Sequence, residues 1–218
     1  MRPLVPLVLL LSLSVHAAPK VQVPRVPASP KVDGVITSKE WKDAVRVPLG
    51  TGGHAMLQHN GTYLFVALVG RRSGIGSLCT MNKDEVQVLH ASAALGTATF
   101  KRDGTKWVSN RPFAWTNRDT SASEAAMADR KKFLDTEGWF ANAQPVGSPK
   151  REFQIRIGGR GEIPLTLGFM GFIRKGEFDL SSWPEKLPDG CGELDLAGGY
   201  TDREYSFDPE TWGVAEIR

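Results

Sequence analysis

Short runs of β-forming residues, each ended by a turn signal, are the feature that most limits the folds open to this chain. Phe153, Ile155 and Ile157 alternate with Gln154 and Arg156, and Ile163, Leu165, Leu167 and Phe169 repeat the pattern. A period of two places successive side chains on opposite faces of a strand, with one face buried. Residues 63–69 form a short apolar run after Asn60-Gly61, and residues 86–90 form another. Residues 97–101 lead into Asp103-Gly104, and Lys106-Trp107-Val108 follows as the return strand of a hairpin. Many short strands between turn signals predict a mostly-β chain, an antiparallel β-sandwich of immunoglobulin or jelly-roll type.

One segment breaks the pattern. Ser121 followed by Glu124 makes a capping box, and residues 121–136 are rich in helix formers. The apolar stripe is narrow, so the helix is expected on the surface. It reads as an ordinary connection between sheets, with a lid over a site as the alternative.

Arg2 and the apolar run from Leu4 to Val15 have the layout of a secretory signal, and Val15-His16-Ala17 supplies a cleavage site. The run is too short to span a bilayer. Residues 1–17 are therefore expected to be removed. Arg2 is the one charged side chain among them besides His16, so 201 residues and a formal charge of +2 remain. That is enough for one domain with a core. Pro19, Pro24, Pro27 and Pro30 mark residues 18–30 as an extended leader, in part an edge strand, and the single domain is expected over 31–218. The near-neutral charge gives no footprint for nucleic acid. Arg71-Arg72 and Arg130-Lys131-Lys132 are short and read as solvated edges. No later run suits a membrane anchor, which points to a secreted or periplasmic protein. An even pair of cysteines, Cys79 and Cys191, is expected to form a disulfide in that compartment.

Residues 31–44 carry Asp33-Gly34, then Glu40-Trp41, then Ala44. Asp33-Gly34 suits a tight turn. Trp41 is expected in the core beneath a short helical turn, and Trp212 is read the same way. This opening resembles that of the family-9 carbohydrate-binding modules and their DOMON-like relatives. Residues 60–67, 83–88, 138–140 and 152–155, with Gly168-Phe169, resemble the strands that follow in that family. The resemblance touches about two thirds of the chain, and its specific part is the opening. It implies a DOMON-like sandwich that displays a ligand surface, with sugars gripped between aromatic rings and calcium often nearby. No Trp pair aligns with the family's clamping rings, and no compact Asp-rich calcium loop is present.

Sugar binding needs exposed rings beside hydrogen-bonding groups. Trp115, with Arg111 in the polar loop region 110–119, and Trp183, in Ser181-Ser182-Trp183-Pro184-Glu185, are the leading candidates. Trp107 and Trp139 are the others. Each ring has the competing role of pinning a loop to the sandwich. Calcium remains a candidate ion, and the metal site is unassigned. His54, His59 and His90 lack a familiar metal spacing. Some DOMON-like relatives hold haem, and Met56, Met81, Met127 and Met170 supply ligand types without a spacing that pairs them. The chain has no Gly-x-Ser-x-Gly, His-Glu-x-x-His or Walker loop. Asp84 and Glu85 are adjacent in a strand and point to opposite faces. A non-catalytic carbohydrate-binding module is therefore the first reading. A sandwich that binds a protein partner, with no small ligand, is the second, and a haem-binding electron carrier the third.

Overall fold

The computed structural model describes residues 18–50, 52–117, 123–142, 148–174, 176–185, 191 and 206–218. The signal segment, Ser121, and Arg118-Asp119 lie outside the described residues. The strands are β1 (Lys20–Val23), β2 (Val45–Leu49), β3 (Gly53–His59), β4 (Tyr63–Gly70), β5 (Gly74–Asn82), β6 (Glu85–Ala91), β7 (Leu95–Asp103) and β8 (Lys106–Asn117). After helix α1 (Glu124–Glu137) come β9 (Trp139–Ala141), β10 (Lys150–Arg156), β11 (Glu162–Arg174), β12 (Glu177–Trp183) and β13 (Gly213–Ile217).

Two sheets pack face to face. The larger runs β1-β13-β11-β5-β6-β7-β8, with β12 pairing β11 beyond the end of β13. The smaller runs β2-β3-β4-β10-β9. The expected mostly-β sandwich with one helix is what forms, antiparallel throughout apart from β1, which lies parallel to β13. The stretch read as a leader is part of this body. Its residues supply β1 at the sheet edge and bury Val21, Val23 and Val26. Packing thus starts at Lys20 rather than near Lys31.

The alternation in the sequence sets the inner faces. Phe153 and Ile155 of β10, Leu64, Val66 and Leu68 of β4, and Leu165, Leu167 and Phe169 of β11 meet in the central core. Each fully buried side chain of this size contributes about 1.5–3 kcal/mol. Arg151 shares that inner face and is buried. It donates to the carbonyls of Gly74 and Lys150 at 2.7 Å, and more weakly to those of Ala91 and Ser148. Gly76 leaves room for its stem.

Both outer faces are also partly covered. Residues 31–44 fold back over the smaller sheet, where Trp41 packs on Met56, Phe65 and Ala67. On the larger sheet, Cys79, Val86, Val88, Ala98, Phe100 and Trp107 are capped by Cys191, Phe207 and Trp212. Trp41 and Trp212 are thus core residues, as expected.

Helix α1 runs from Glu124 and is capped by Ser123; the expected cap, Ser121, lies outside the described residues. The Ser123 hydroxyl accepts from the Ala126 amide, and Gly138 ends the helix in the left-handed conformation at φ 74°. Phe133 of α1 packs edge-on against Trp139 of β9. Glu137 holds Arg111 of β8 through a two-pronged pair at 3.1 and 2.6 Å. β8 and β9 are the last strands of their sheets on this side. The helix therefore closes the gap between the two sheets, which is the connecting role.

Candidate functional site

Two places on the sandwich bring together groups with more than a packing role. The first lies under the opening segment. Glu152 of β10 points away from the core, because Phe153 and Ile155 alternate with it. Its carboxylate is nevertheless fully buried, since residues 31–44 cover it. One oxygen accepts from the amides of Gly34 (2.7 Å) and Asp33 (3.2 Å), and the other from the indole of Trp41 (3.1 Å). Gly34 stands at φ 84°, which aims both amides at one acceptor. Burial pushes the Glu152 carboxyl up to about 7, against the pull of these donors. Thr37 and Glu40 close the turn around Trp41.

Beside this segment is an open cleft of about 630 Å³, lined by Val26, Pro30, Asp33, Val35, Glu40 and Asp43 among others. A second, of about 400 Å³, lies between Ile36, Trp41, Arg46 and Met56. Glu152 lines neither. A carboxyl with a raised pKa is thus present, but it fastens the opening segment and faces neither of these two clefts.

The second place is the outer face of the larger sheet near its β8 edge. The pairing register sets Gly168, Ser77, His90, Gly96 and Trp115 in one row across β11, β5, β6, β7 and β8. Trp115 stands perpendicular to Phe113 (centroids 4.8 Å) and to His90 (5.1 Å), and those two stand perpendicular to each other. Gly96 makes the cluster possible, because a side chain there would overlap the Phe113 ring. His90 is buried beneath, with Nδ1 at 2.9 Å from the Ser77 hydroxyl. Burial, helped by the charge of Arg151, drops the His90 pKa to about 4, so the ring is neutral at ordinary pH. Trp115 keeps 40 % of its surface exposed.

The other ring candidates have packing roles. Trp107 is buried, and its indole donates to the Phe207 carbonyl at 2.8 Å. Trp139 is buried between Phe133 and Phe153, with its indole on the Thr97 hydroxyl at 3.0 Å. Trp183 faces the central core against Gly213. None of the three can offer a face to a sugar. Arg111 is separated from Trp115: the bulges in the β7–β8 pairing put Arg111 opposite Thr99, on the face toward α1. The stretch around Trp115 is strand, not loop.

The haem-ligand types are scattered. Met170 and Met56 are buried on different sheets, Met81 is partly buried, and Met127 is exposed on α1. His59 uses both ring nitrogens, one on the Gly61 amide and one on the Arg218 carbonyl. Among the described residues no three His, Cys, Asp or Glu side chains converge as a metal site. Cys79 and Cys191 are joined by a disulfide, with Cα atoms 6.1 Å apart.

Sequence reasoning did not single out Phe113 or Glu152, and it weighed His90 only as a metal ligand. Parity could have found two of them. His90 falls with Val86 and Val88 on the face opposite Leu89, and Glu152 falls opposite Phe153.

Comparison with known proteins bears on the fold. A crystal structure described as a "putative carbohydrate-binding protein" from Bacteroides uniformis ATCC 8492 superposes with a TM-score of 0.50. The match covers 93 % of this chain and 100 % of that one, at 11 % identity. A likeness at that identity is one of fold. No protein-family model matches the sequence, and no curated protein matches it. Among the described residues no helix is long and apolar enough to cross a membrane.

Proposed function

We propose that this is an exported, non-catalytic carbohydrate-binding sandwich, related to the family-9 modules, that takes its ligand over Trp115. The observation that carries this reading is the contrast among six tryptophans. Five are buried, and Trp115 alone presents its ring to solvent, held in one orientation by two perpendicular neighbours. A fixed indole face suits the C–H face of a pyranose, since little side-chain freedom is lost on stacking. The sandwich shared with the Bacteroides uniformis protein supports the same reading. The disulfide fits an oxidising compartment, periplasmic or extracellular.

Titrating the secreted chain with a panel of mono- and oligosaccharides, followed by tryptophan fluorescence, tests this. One sugar class is expected to give a saturable shift. Trp115→Ala should weaken that sugar by about 30-fold, the usual cost of removing a tryptophan anchor, while the urea midpoint stays within error. Calcium is proposed as an accessory ion, read by repeating the titration with a chelator. Unchanged affinity in Trp115→Ala would remove the ring as the platform.

A single exposed indole also favours the second reading, a sandwich that binds a protein partner, because no second ring stands ready to clamp a sugar. A flat response across the panel would make that reading the leading one.

A further inference from the structure

The smaller of the two clefts beside the opening segment is chemically unlike its neighbour. Acids and bases share the larger one, where Lys31, Lys39 and Lys42 stand against Asp33, Glu40 and Asp43. The smaller, of about 400 Å³, has Lys42 and Arg46 as its charged lining and no acid. It forms where residues 31–44 cross the outer face of the smaller sheet, just before the chain enters the edge strand β2. Trp41 pins that crossing to Glu152 and packs on Met56. Arg46 pairs with Met56 in the β2–β3 register, and Met56 lies on the outer face, so Arg46 faces the cleft and not the core.

The charges of the lining call for an anion. Arg46 is exposed and makes no salt bridge among the described residues. Lys42 reaches Asp43 at 3.9 Å, a contact between exposed side chains that is worth little, and Asp43 lines the larger cleft. The wall adds a second requirement. Ile36, Trp41, Ala44 and Met56 are apolar, with Trp41 and Met56 each 4 % exposed. The Thr37 hydroxyl is engaged with Glu40, which leaves Ser38 as the hydroxyl at the rim. An inorganic anion would satisfy the cations and leave the apolar wall bare. A carboxylate on a ring-sized body meets both needs. The planar guanidinium takes the carboxylate in two parallel hydrogen bonds, and the body covers the wall. Ligand sites hold about 300–1,000 Å³, so a cleft near the lower end of that range suits a body of about one ring.

We propose that this cleft binds a compact organic carboxylate with a ring-sized body, a sugar acid or an aromatic acid, and that Arg46 is its principal contact. The site is separate from Trp115, which stands on the outer face of the other sheet, and so does not depend on the sugar reading.

Calorimetric titration of the secreted chain with glucuronate and with benzoate tests the proposal. Each acid is run beside its neutral counterpart, glucose or benzyl alcohol, and beside acetate and inorganic phosphate. Saturable binding of one of the two acids is expected, about tenfold or more tighter than that of its neutral counterpart, acetate or phosphate, and the acid that binds identifies the body. Arg46→Gln should weaken it by about tenfold, the lower end for a hydrogen bond to a charged group. Arg46 is exposed, so the urea midpoint should stay in place. Lys42→Gln should weaken binding less, and Trp115→Ala should bind as before. No binding of either acid would overturn the site. Acetate or phosphate binding as tightly as the acids would make the cleft a place for an adventitious ion only. Binding that survives Arg46→Gln, or that Trp115→Ala abolishes, would place the acid elsewhere on the molecule and overturn the assignment as well.

Discussion

Glu152→Ala is expected to unfold at a markedly lower urea concentration than the native chain, with a loss of about 3–5 kcal/mol, because buried donors left without an acceptor each cost about 1–3 kcal/mol. Three are orphaned at once: the amides of Asp33 and Gly34 and the indole of Trp41. They hold one segment, so the loss should be cooperative. Residues 31–44 lose their fastening to β10, and the Trp41 ring loses the cover that packs it on Met56 and Phe65. Glu152→Gln keeps an acceptor oxygen and should recover most of the difference. A Glu152→Ala midpoint equal to that of the native chain would show that packing of Trp41 alone holds the segment.

The same carboxyl gives a pH signature, and His90 opposes it. Glu152 rises from 4.5 to about 7 on folding. Between those values the folded chain keeps a proton that the unfolded chain has released, so this group lowers stability as pH rises. His90 falls from 6.5 to about 4. Between those values the unfolded chain binds a proton that the folded chain refuses, so this group raises stability as pH rises. Each effect is worth about 3 kcal/mol over its full window. From pH 4.5 to 6.5 the two nearly cancel in the native chain. Urea midpoints across that range should climb with pH in Glu152→Gln and decline in His90→Gln. A common slope in all three proteins would count against both assignments.

Alternation showed which residues meet between the sheets. Phe153, Ile155, Leu165, Leu167 and Phe169 were legible as one buried set, and Asp103-Gly104 as the turn joining β7 to β8. The outer faces were not legible, for a physical reason. A period of two divides a strand into two faces, but it does not say what lies over the second one. Glu152 reads as a solvent-facing acid until residues 31–44 fold across it. Trp107 reads as a surface ring until Phe207 caps it. The bulges in β8 also hid the site, because they shift Arg111 and Trp115 onto opposite faces although simple counting puts residues four apart on the same one. β1 was obscured by the prolines on either side of it, Pro19 and Pro24, which suit an edge strand as well as a leader.

Removing the disulfide should have the other large effect, since the bridge spans 112 residues and the chain-entropy model gives about 4–5 kcal/mol for a loop of that length. Free-thiol titration of the denatured, unreduced chain should find no thiol. Cys79→Ala with Cys191→Ala should then lower Tm by about 10–15 °C, at about 2–4 °C per kcal/mol for a domain of this size. The location decides what else changes. Cys79 sits on the outer face of β5, and Cys191 with Phe207 and Trp212 forms the cap over Val86, Val88, Phe100 and Trp107. The cap retains the Trp107–Phe207 hydrogen bond and the ring contacts of Phe207 with Phe100, Trp107 and Trp212. Those contacts should keep the double variant folded, with faster hydrogen exchange confined at first to β6, β7 and residues 206–212. Two free thiols in the untreated protein would overturn the bridge. An unchanged Tm in the double variant would mean that the aromatic cap alone closes the outer face, and that the covalent link constrains an unfolded chain already compact enough to lose little by it.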